Sequence, residues 1–564
     1  MTLSFLVLLV YQTMFVKPSP KPQRPSAAAK TAVAPDAAAP SQMSQPAPGA
    51  PESASPAAPA AAVIVGDTTE REVVVESESV RAVFTNRGAE LKSWELKRFA
   101  GSAGKAMNII PPDDVGGRPR GFALRTGTAE LDERLHRALF RASATAVQVG
   151  EAGADLVFEF QDETGVRARK AFRFAGGREP YVVRVSAELS RGGQSVPVAL
   201  DSGVGIGETE RATGSGSFFS PNYYQPPEAI LHREGKVTRI AAASLAEQAS
   251  QEGALRYAGV DDHYFIHVAV PGDKRLRVKY DVVTVPGPTA PKQLVAYQAT
   301  LDGAVDDVAF YLGPKQFDML AATDRELVRV INFGIFSWMV VPLLRALNWI
   351  NGYLGNYGWS IIALTILINA VMFPLRHKSV VSMRKMQDLQ PEVKAIQDRY
   401  AKLKMTDPGR QKMNVELMNL YRERGVNPAS GCVPMLLTFP VLFAFYSLLS
   451  QAIELRGAPF FGWIHDLSRY DPLFVTPLLM GATMVWQQKL TPTSADPTQQ
   501  KVMMFMPIMF TFMFLWAPSG LVIYWLVSNV WAIGQQYLTN YMIGPPRARA
   551  ARPPGERRVK KGDA

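Results

Sequence analysis

Two groups of side chains in this chain have the types and the spacing to do chemistry. Asp261, Asp262 and His263 set two carboxylates beside an imidazole, the combination used in general acid–base catalysis. The second group is neutral. Thr365 and Asn369 lie four residues apart, and so on one helical face, inside the apolar run 359–375. Thr438, Ser447, Gln451, Thr511, Tyr524, Ser528 and Asn529 occupy other apolar runs. Hydroxyls and amides are not nucleophiles at neutral pH without an activating base. Singly, each would hydrogen-bond a neighbouring helix; together they could hold water inside a bilayer. For the acidic cluster the simpler account is a loop of solvated acids entering a strand at 263–270, since no second motif supports catalysis. The chain has no GxxxxGK[ST] loop, no histidines at metal-ligand spacing and no nucleophile elbow. A non-enzyme without a cofactor is expected.

The element that positions Thr365 and Asn369 is the segment 355–386. Its apolar part crosses most of a ~30 Å hydrocarbon core at ~1.5 Å per residue. It ends on Arg376, His377, Lys378, Arg384 and Lys385, and a basic flank marks the cytoplasmic side. Upstream, 326–352 mixes apolar residues with Arg329, Asn332, Arg345 and Asn348, and Trp338 and Trp349 suit a helix in the headgroup plane. Pro342 should kink or divide it. Downstream, Met386, Leu389, Val393, Ile396, Tyr400 and Leu403 form an a/d stripe, interrupted at Pro391. A turn at 406–409 and a returning stripe of Met413, Leu417, Leu420 and Tyr421 predict a helical hairpin over 379–424, within a cytoplasmic segment 376–431. Four apolar segments follow, 433–453, 473–486, 502–517 and 519–542, the second and third short for the core. With the run at 3–16, a membrane anchor over 1–17, they make six spans with both termini inside.

Charge agrees with that orientation. The formal net charge is +11. Twelve Lys/Arg against six Asp/Glu in 376–431, and seven against two in 543–564, account for all of it. The basicity therefore belongs to cytoplasmic faces, and nucleic acid is not expected as a specific partner. The loop 454–471, with two basic and three acidic residues, faces outward. Residues 18–62 are Ala-, Pro- and Ser-rich and read as a tether. From 63 to 325 the pattern turns to period two, as in Tyr181, Val183, Val185, Ala187 and Leu189, with a hairpin turn at 162–165. This predicts a large β-sandwich of two packed sheets. The single cysteine, Cys432, excludes an intrachain disulfide.

Long stretches of the chain are similar to one family. GNYGWSIIALTILINAVMFPL at 355–375, NPASGCVPMLLTFPVLFAFYSLL at 427–449, ELRGAPFFGWIHDLSRYDP at 454–472 and FLWAPSGLVIYWLVSN at 514–529 closely resemble the YidC family of bacterial inner-membrane insertases. NRGAELKSWELKRF at 86–99 and YLGPKQFDML at 311–320 resemble the family's periplasmic domain. The resemblance implies a polytopic α-helical membrane protein of six spans, with a five-helix core over 353–542 and a basic tail over 543–564. A periplasmic all-β sandwich at 63–325 and an interfacial helix at 326–352 would precede the core, with residues 18–325 outside the inner membrane. It further implies a hydrophilic groove that takes the polar parts of nascent membrane proteins, needing neither ATP nor a cofactor. The matching positions for that groove are Thr365, Asn369, Phe373, Thr438, Tyr524, Trp525 and Asn529. Implied partners are nascent membrane proteins, the Sec translocon, the ribosome and anionic lipids, the last two attracted by the basic tail. Family members usually carry an arginine where this chain has Asn369, and no replacement cation is expected, since Arg376 falls at the cytoplasmic edge. A solute transporter or channel is the alternative, but paired repeats and intramembrane charges are absent from the sequence. A membrane-tethered periplasmic carbohydrate-binding protein is another.

Cys432 closes the basic loop and should lie near the cytoplasmic end of its span. A membrane-impermeant thiol reagent added to intact spheroplasts should leave it unmodified, and rapid labelling from outside would reverse the orientation.

Overall fold

The computed structural model describes residues 64–101, 105–111, 118–206, 225–285, 292–400, 409–425, 433–490 and 497–543. The anchor at 1–17, the tether at 18–62, residues 406–408 of the expected turn, Cys432 and the basic tail after 543 lie outside the described residues.

Period-two patterning does produce strands, but among the described residues the sheets number three. One sheet of ten strands is faced by two of five. In Val166–Phe174 the inward positions are Val166, Ala168, Lys170, Phe172 and Phe174, and the outward ones are Arg167, Arg169, Ala171 and Arg173. Phe84 and Phe122 of the opposing layer meet Phe172 at ring separations of 4.8 and 5.6 Å. The strand follows Ala154–Gln161 and precedes its other partner Val182–Arg191, and the 162–165 turn that joins it to Ala154–Gln161 holds by its Asp. Asp162 Oδ1 accepts from the backbone of Thr164 and Val166, while Gly165 takes φ +77°. One position breaks the apolar rule. Lys170 is fully buried and donates to the carbonyls of Gly88, Ala89 and Phe122 at 2.7, 3.0 and 2.7 Å. Burial pushes its ammonium down to about 7.

The acids at 261 and 262 are not solvated, contrary to the sequence expectation. Asp261, Asp262 and His263 are all buried. Asp261 accepts from Lys315 Nζ at 2.7 Å and from Arg239 Nη2 at 3.2 Å. Asp262 Oδ1 accepts from the backbone of Tyr264 and Phe265, a local turn. The strand Phe265–Val270 is buried on both faces, and His267 meets the rings of Phe122 and Tyr297. That double cover is what a loop reading omits.

Two helices belong to the sheet region, α1 (Ala129–Arg137) and α2 (Phe317–Thr323). The remainder of the chain is helical. α3 (Ser337–Leu354) ends on Gly355 at φ +63° and contains Pro342 without breaking. Its one lost backbone bond is offset by Val340, Leu344 and Leu347, which bury one face, while Trp338, Trp349 and Tyr353 are exposed on the other. α4 (Tyr357–Asp388) starts from Asn356, whose side chain accepts from the Trp359 N–H, and runs unbroken through Pro374. Among the described residues it is the one helix with the length and hydropathy to cross a membrane; Phe439–Gln451 and Met504–Trp516 are shorter apolar helices. α5 (Gln390–Arg399) begins afresh at Pro391, and α6 (Gly409–Glu423) packs on it through Val393, Ile396 and Leu420. Ion pairs Arg399–Glu416 at 2.6 Å and Arg424–Glu392 at 2.7 Å flank that contact. The last four helices are α7 (Val433–Gln451), α8 (Val475–Leu490), α9 (Pro497–Met513) and α10 (Ser519–Ile543). α8 and α9 approach so closely that a Cβ at Gly481 would stand 2.0 Å from Thr511 Oγ1.

Replacing Lys170 with Met would strand three buried carbonyls at once. The Lys170→Met protein should lose about 3 kcal/mol of stability, the scale for unpartnered buried polar groups. Thermal unfolding of the full chain in detergent measures it, and an unchanged midpoint would show the three contacts to be dispensable.

Candidate functional site

A helix of 3.6 residues per turn decides which side chains of α4 stand together. Two steps of four drift about 80° around the axis, whereas a step of seven drifts about 20°. The face that Thr365 and Asn369 begin is therefore continued by Arg376, not by Phe373. The structure follows this geometry. Thr365 and Asn369 are buried, and each bonds its own helix: Thr365 Oγ1 donates to Ile361 O at 2.6 Å and Asn369 Nδ2 to Thr365 O at 2.8 Å. That leaves Asn369 Oδ1 free to accept, and Arg376 Nη1 donates to it at 2.8 Å.

The expectation that no cation would replace the family arginine is thus overturned. Arg376 starts two turns further along α4, but its long side chain lies half-buried against the bundle and brings the guanidinium back to Asn369. No carboxylate pairs with it among the described residues; the ionisable group within its electrostatic reach is Tyr524 of α10. Tyr524 is itself buried and stacks on Phe445 of α7, centroids 4.5 Å apart and 8° from parallel. Three helices thus converge on one strip: Thr365, Asn369 and Arg376 from α4, with Tyr524 from α10 braced by α7. It offers hydroxyl, amide and guanidinium donors and a net positive charge. It contains no base–nucleophile pair, and no group of three metal-binding side chains occurs among the described residues.

The other expected groove residues point elsewhere. Phe373 stacks on His377, centroids 6.0 Å apart, along a neighbouring face of α4 that looks toward α10. Trp525 packs on Phe510 and Phe514 at 6.0 and 5.0 Å. Asn529 is buried against α8, where its Nδ2 donates to Met480 O at 3.4 Å and Thr483 Oγ1 at 3.3 Å. The side chain of Thr438 lies outside those described. Arg376 was the residue missed, and its spacing of seven from Asn369 was the signal.

Comparison with known proteins covers nearly the whole chain. The profile described as 60Kd inner membrane protein matches residues 349–545, and that of the YidC periplasmic domain matches residues 72–346. The membrane protein insertase YidC of Geobacter metallireducens is 36% identical over 560 residues, covering 97% of this chain and 98% of the relative. That of Oleidesulfovibrio alaskensis is 36% identical over 483 residues, covering 83% and 86%. A solved active YidC insertase, with its first transmembrane domain resolved, aligns at 18% identity and TM-score 0.34 over 86% of this chain and 95% of that one.

Asn529 and Trp525 serve packing in this geometry, and their substitution should read out as stability. Asn529→Leu should cost about 0.6 kcal/mol, the mean for interhelical hydrogen bonds in a membrane. Trp525→Ala should cost about 3–5 kcal/mol through the lost ring contacts. Unfolding in detergent ranks the two, and a larger loss at Asn529 would contradict the assignment.

Proposed function

The chain belongs to the YidC family of membrane protein insertases, whose place is the inner membrane, and on that premise we propose that the strip Thr365–Asn369–Arg376 receives the polar tail of an entering protein. The observation that carries this reading is the hydrogen bond from Arg376 to Asn369, which holds an unpaired cation against the helix bundle. A polar tail crossing hydrocarbon leaves its backbone and side chains without partners, at several kcal/mol per group. The strip supplies donors along part of that path. Burial of the substrate's own apolar segment, at about 25 cal/mol per Å², drives the step, with any membrane potential acting on its charges. No nucleotide is required.

Topology and partners complete the proposal. Six spans would leave both termini in the cytoplasm and residues 18–325 in the periplasm, with the exposed faces of α3 lying in the outer headgroup layer. The α5–α6 hairpin, charged outside and apolar between its arms, would stand beneath the strip, where the ribosome or the Sec translocon delivers nascent chains. The basic tail would add attraction to anionic lipids, weakened by salt.

Insertion into inner-membrane vesicles tests the strip, using substrates that differ only in having an acidic or a neutral tail. Loss of one charge-assisted hydrogen bond is worth about 1.5–3 kcal/mol, so Arg376→Gln should slow acidic tails roughly ten- to hundredfold. Neutral tails should suffer less. Asn369→Leu should resemble Arg376→Gln, because it releases the guanidinium, and Asn369→Arg combined with Arg376→Gln should restore the acidic-tail preference. A photocrosslinker at position 369 should capture stalled nascent chains. Wild-type rates in every variant, with no crosslink from 369, would reduce Asn369 to a packing residue.

A further inference from the structure

A second feature of α4 lies on the face beside the polar strip. Ile366, Ala370 and Phe373 line one wall of an apolar slot of about 540 Å³, and Trp531, Gly534 and Gln535 of α10 are among those lining the other. Gly534 makes the concavity: beyond its own helix backbone and chain neighbours, nothing lies within 4 Å of where its Cβ would stand. The slot runs from the level of Val527 to that of Leu538. Eleven residues at ~1.5 Å each give about 16 Å, the depth of one leaflet of a ~30 Å hydrocarbon core.

The end of the slot is basic. The next residue on the same face of α4 is His377, whose Nδ1 meets Thr539 Oγ1 at 3.2 Å, and two turns further Arg384 Nη1 donates to Asn540 Oδ1 at 2.9 Å. Lys378 beside them is exposed. α10 carries no Asp or Glu, and α4 has none before Asp388. One turn inside this mouth, Gln535 is buried with its amide oxygen unpartnered, at the depth where a glycerol backbone and its accompanying water would lie.

We propose that the slot binds one anionic phospholipid of the basic-side leaflet, an acyl chain in the groove between α4 and α10 and the phosphate held at the level of His377, Lys378 and Arg384. The dimensions choose the occupant. A spanning substrate helix needs the full ~30 Å and twice this groove, whereas an acyl chain needs one leaflet. An apolar wall would do nothing for a free phosphate, and the cations favour a net-anionic headgroup over a zwitterionic one. The proposal takes from the insertase reading only the membrane placement and orientation. It is independent of the polar strip, which occupies another face of α4.

The test is native mass spectrometry of the full chain in detergent, with phosphatidylglycerol or phosphatidylcholine of identical acyl chains added. One phosphatidylglycerol should remain bound per chain, with about tenfold preference over phosphatidylcholine. Gly534→Leu, which fills the concavity, should remove the bound lipid. His377→Gln with Lys378→Gln should keep a lipid but lose the preference for the anionic one. Acidic-tail insertion that stays normal in the double variant separates this site from the strip, whose loss slows acidic tails. Equal retention of both lipids by the wild type would show ordinary annular contact and overturn the proposal. So would an undiminished preference in the double variant, a readout that stands even if Gly534→Leu fails to fold.

Discussion

A guanidinium beside hydrocarbon must be held by partners, and the rest of the helical region is arranged so that Arg376 has one. Placing Arg at the centre of a spanning helix costs about 2.5–3.5 kcal/mol on insertion scales. Here the charge is rooted near the end of the apolar run and returns to Asn369 only through its side chain. That return depends on helix continuity. Pro374 lies between the two residues and removes one backbone bond, yet α4 passes through it unbroken. A break at Pro374 would rotate Arg376 away and leave Asn369 with only its bond to the Thr365 carbonyl. The continuity of α4 is thus what keeps the contact between Arg376 and Asn369.

The outer end of the bundle is fixed from the β-domain. The Gln225 backbone N–H donates to His263 Nδ1 at 3.2 Å, so Nε2 carries the proton and donates to Ser450 O at the end of α7, at 2.8 Å. Arg456, in the loop after α7, donates to Ala100 O at 3.2 Å and lies over the Phe265 ring. Beside this contact Lys315 and Arg239 neutralise Asp261, and Arg239 also donates to the Val330 carbonyl just ahead of α3. The cluster that resembles an acid–base site in sequence therefore works as a joint. Its charges are compensated and buried, as a structural ion-pair network requires.

What was legible in the sequence was set by periodicity. The strands, the turn at Asp162, the restart at Pro391 and the α5–α6 contact follow from spacings of two, three and four. Side-chain reach does not follow from spacing. Arg376 reads as an edge residue because the α-carbon is at the edge, and the guanidinium is several bonds away. The polar residues in apolar runs looked alike in sequence, yet they divide by what faces them: Asn369 meets a cation, whereas Asn529 meets a carbonyl and a hydroxyl of α8. The burial of Asp261 likewise depends on Arg239 and Lys315, both remote in sequence. Period-two patterning reports one covered face, not two.

The divided pair Asn369 and Arg376 has a further physical merit over an arginine at position 369, the arrangement implied by the family resemblance. α4 must itself enter the membrane before the bundle exists to shelter a charge. A neutral amide at the middle of the apolar run spares the helix the mid-membrane guanidinium, while Arg376 can snorkel to the headgroups during that step. Once α7 and α10 have packed, Asn369 Oδ1 and the phenol of Tyr524 provide a polar environment to which the guanidinium can return. The charge is then delivered near the level of Asn369 after folding, without having been carried there during insertion. Asn369 acts in this scheme as the acceptor that makes the return favourable. Its amide needs two properties at once, a donor satisfied by its own helix and an oxygen left open, and the contact to the Thr365 carbonyl provides the first. Aspartate would bind the cation more strongly but would cancel its charge. Leucine would leave it nothing to bind.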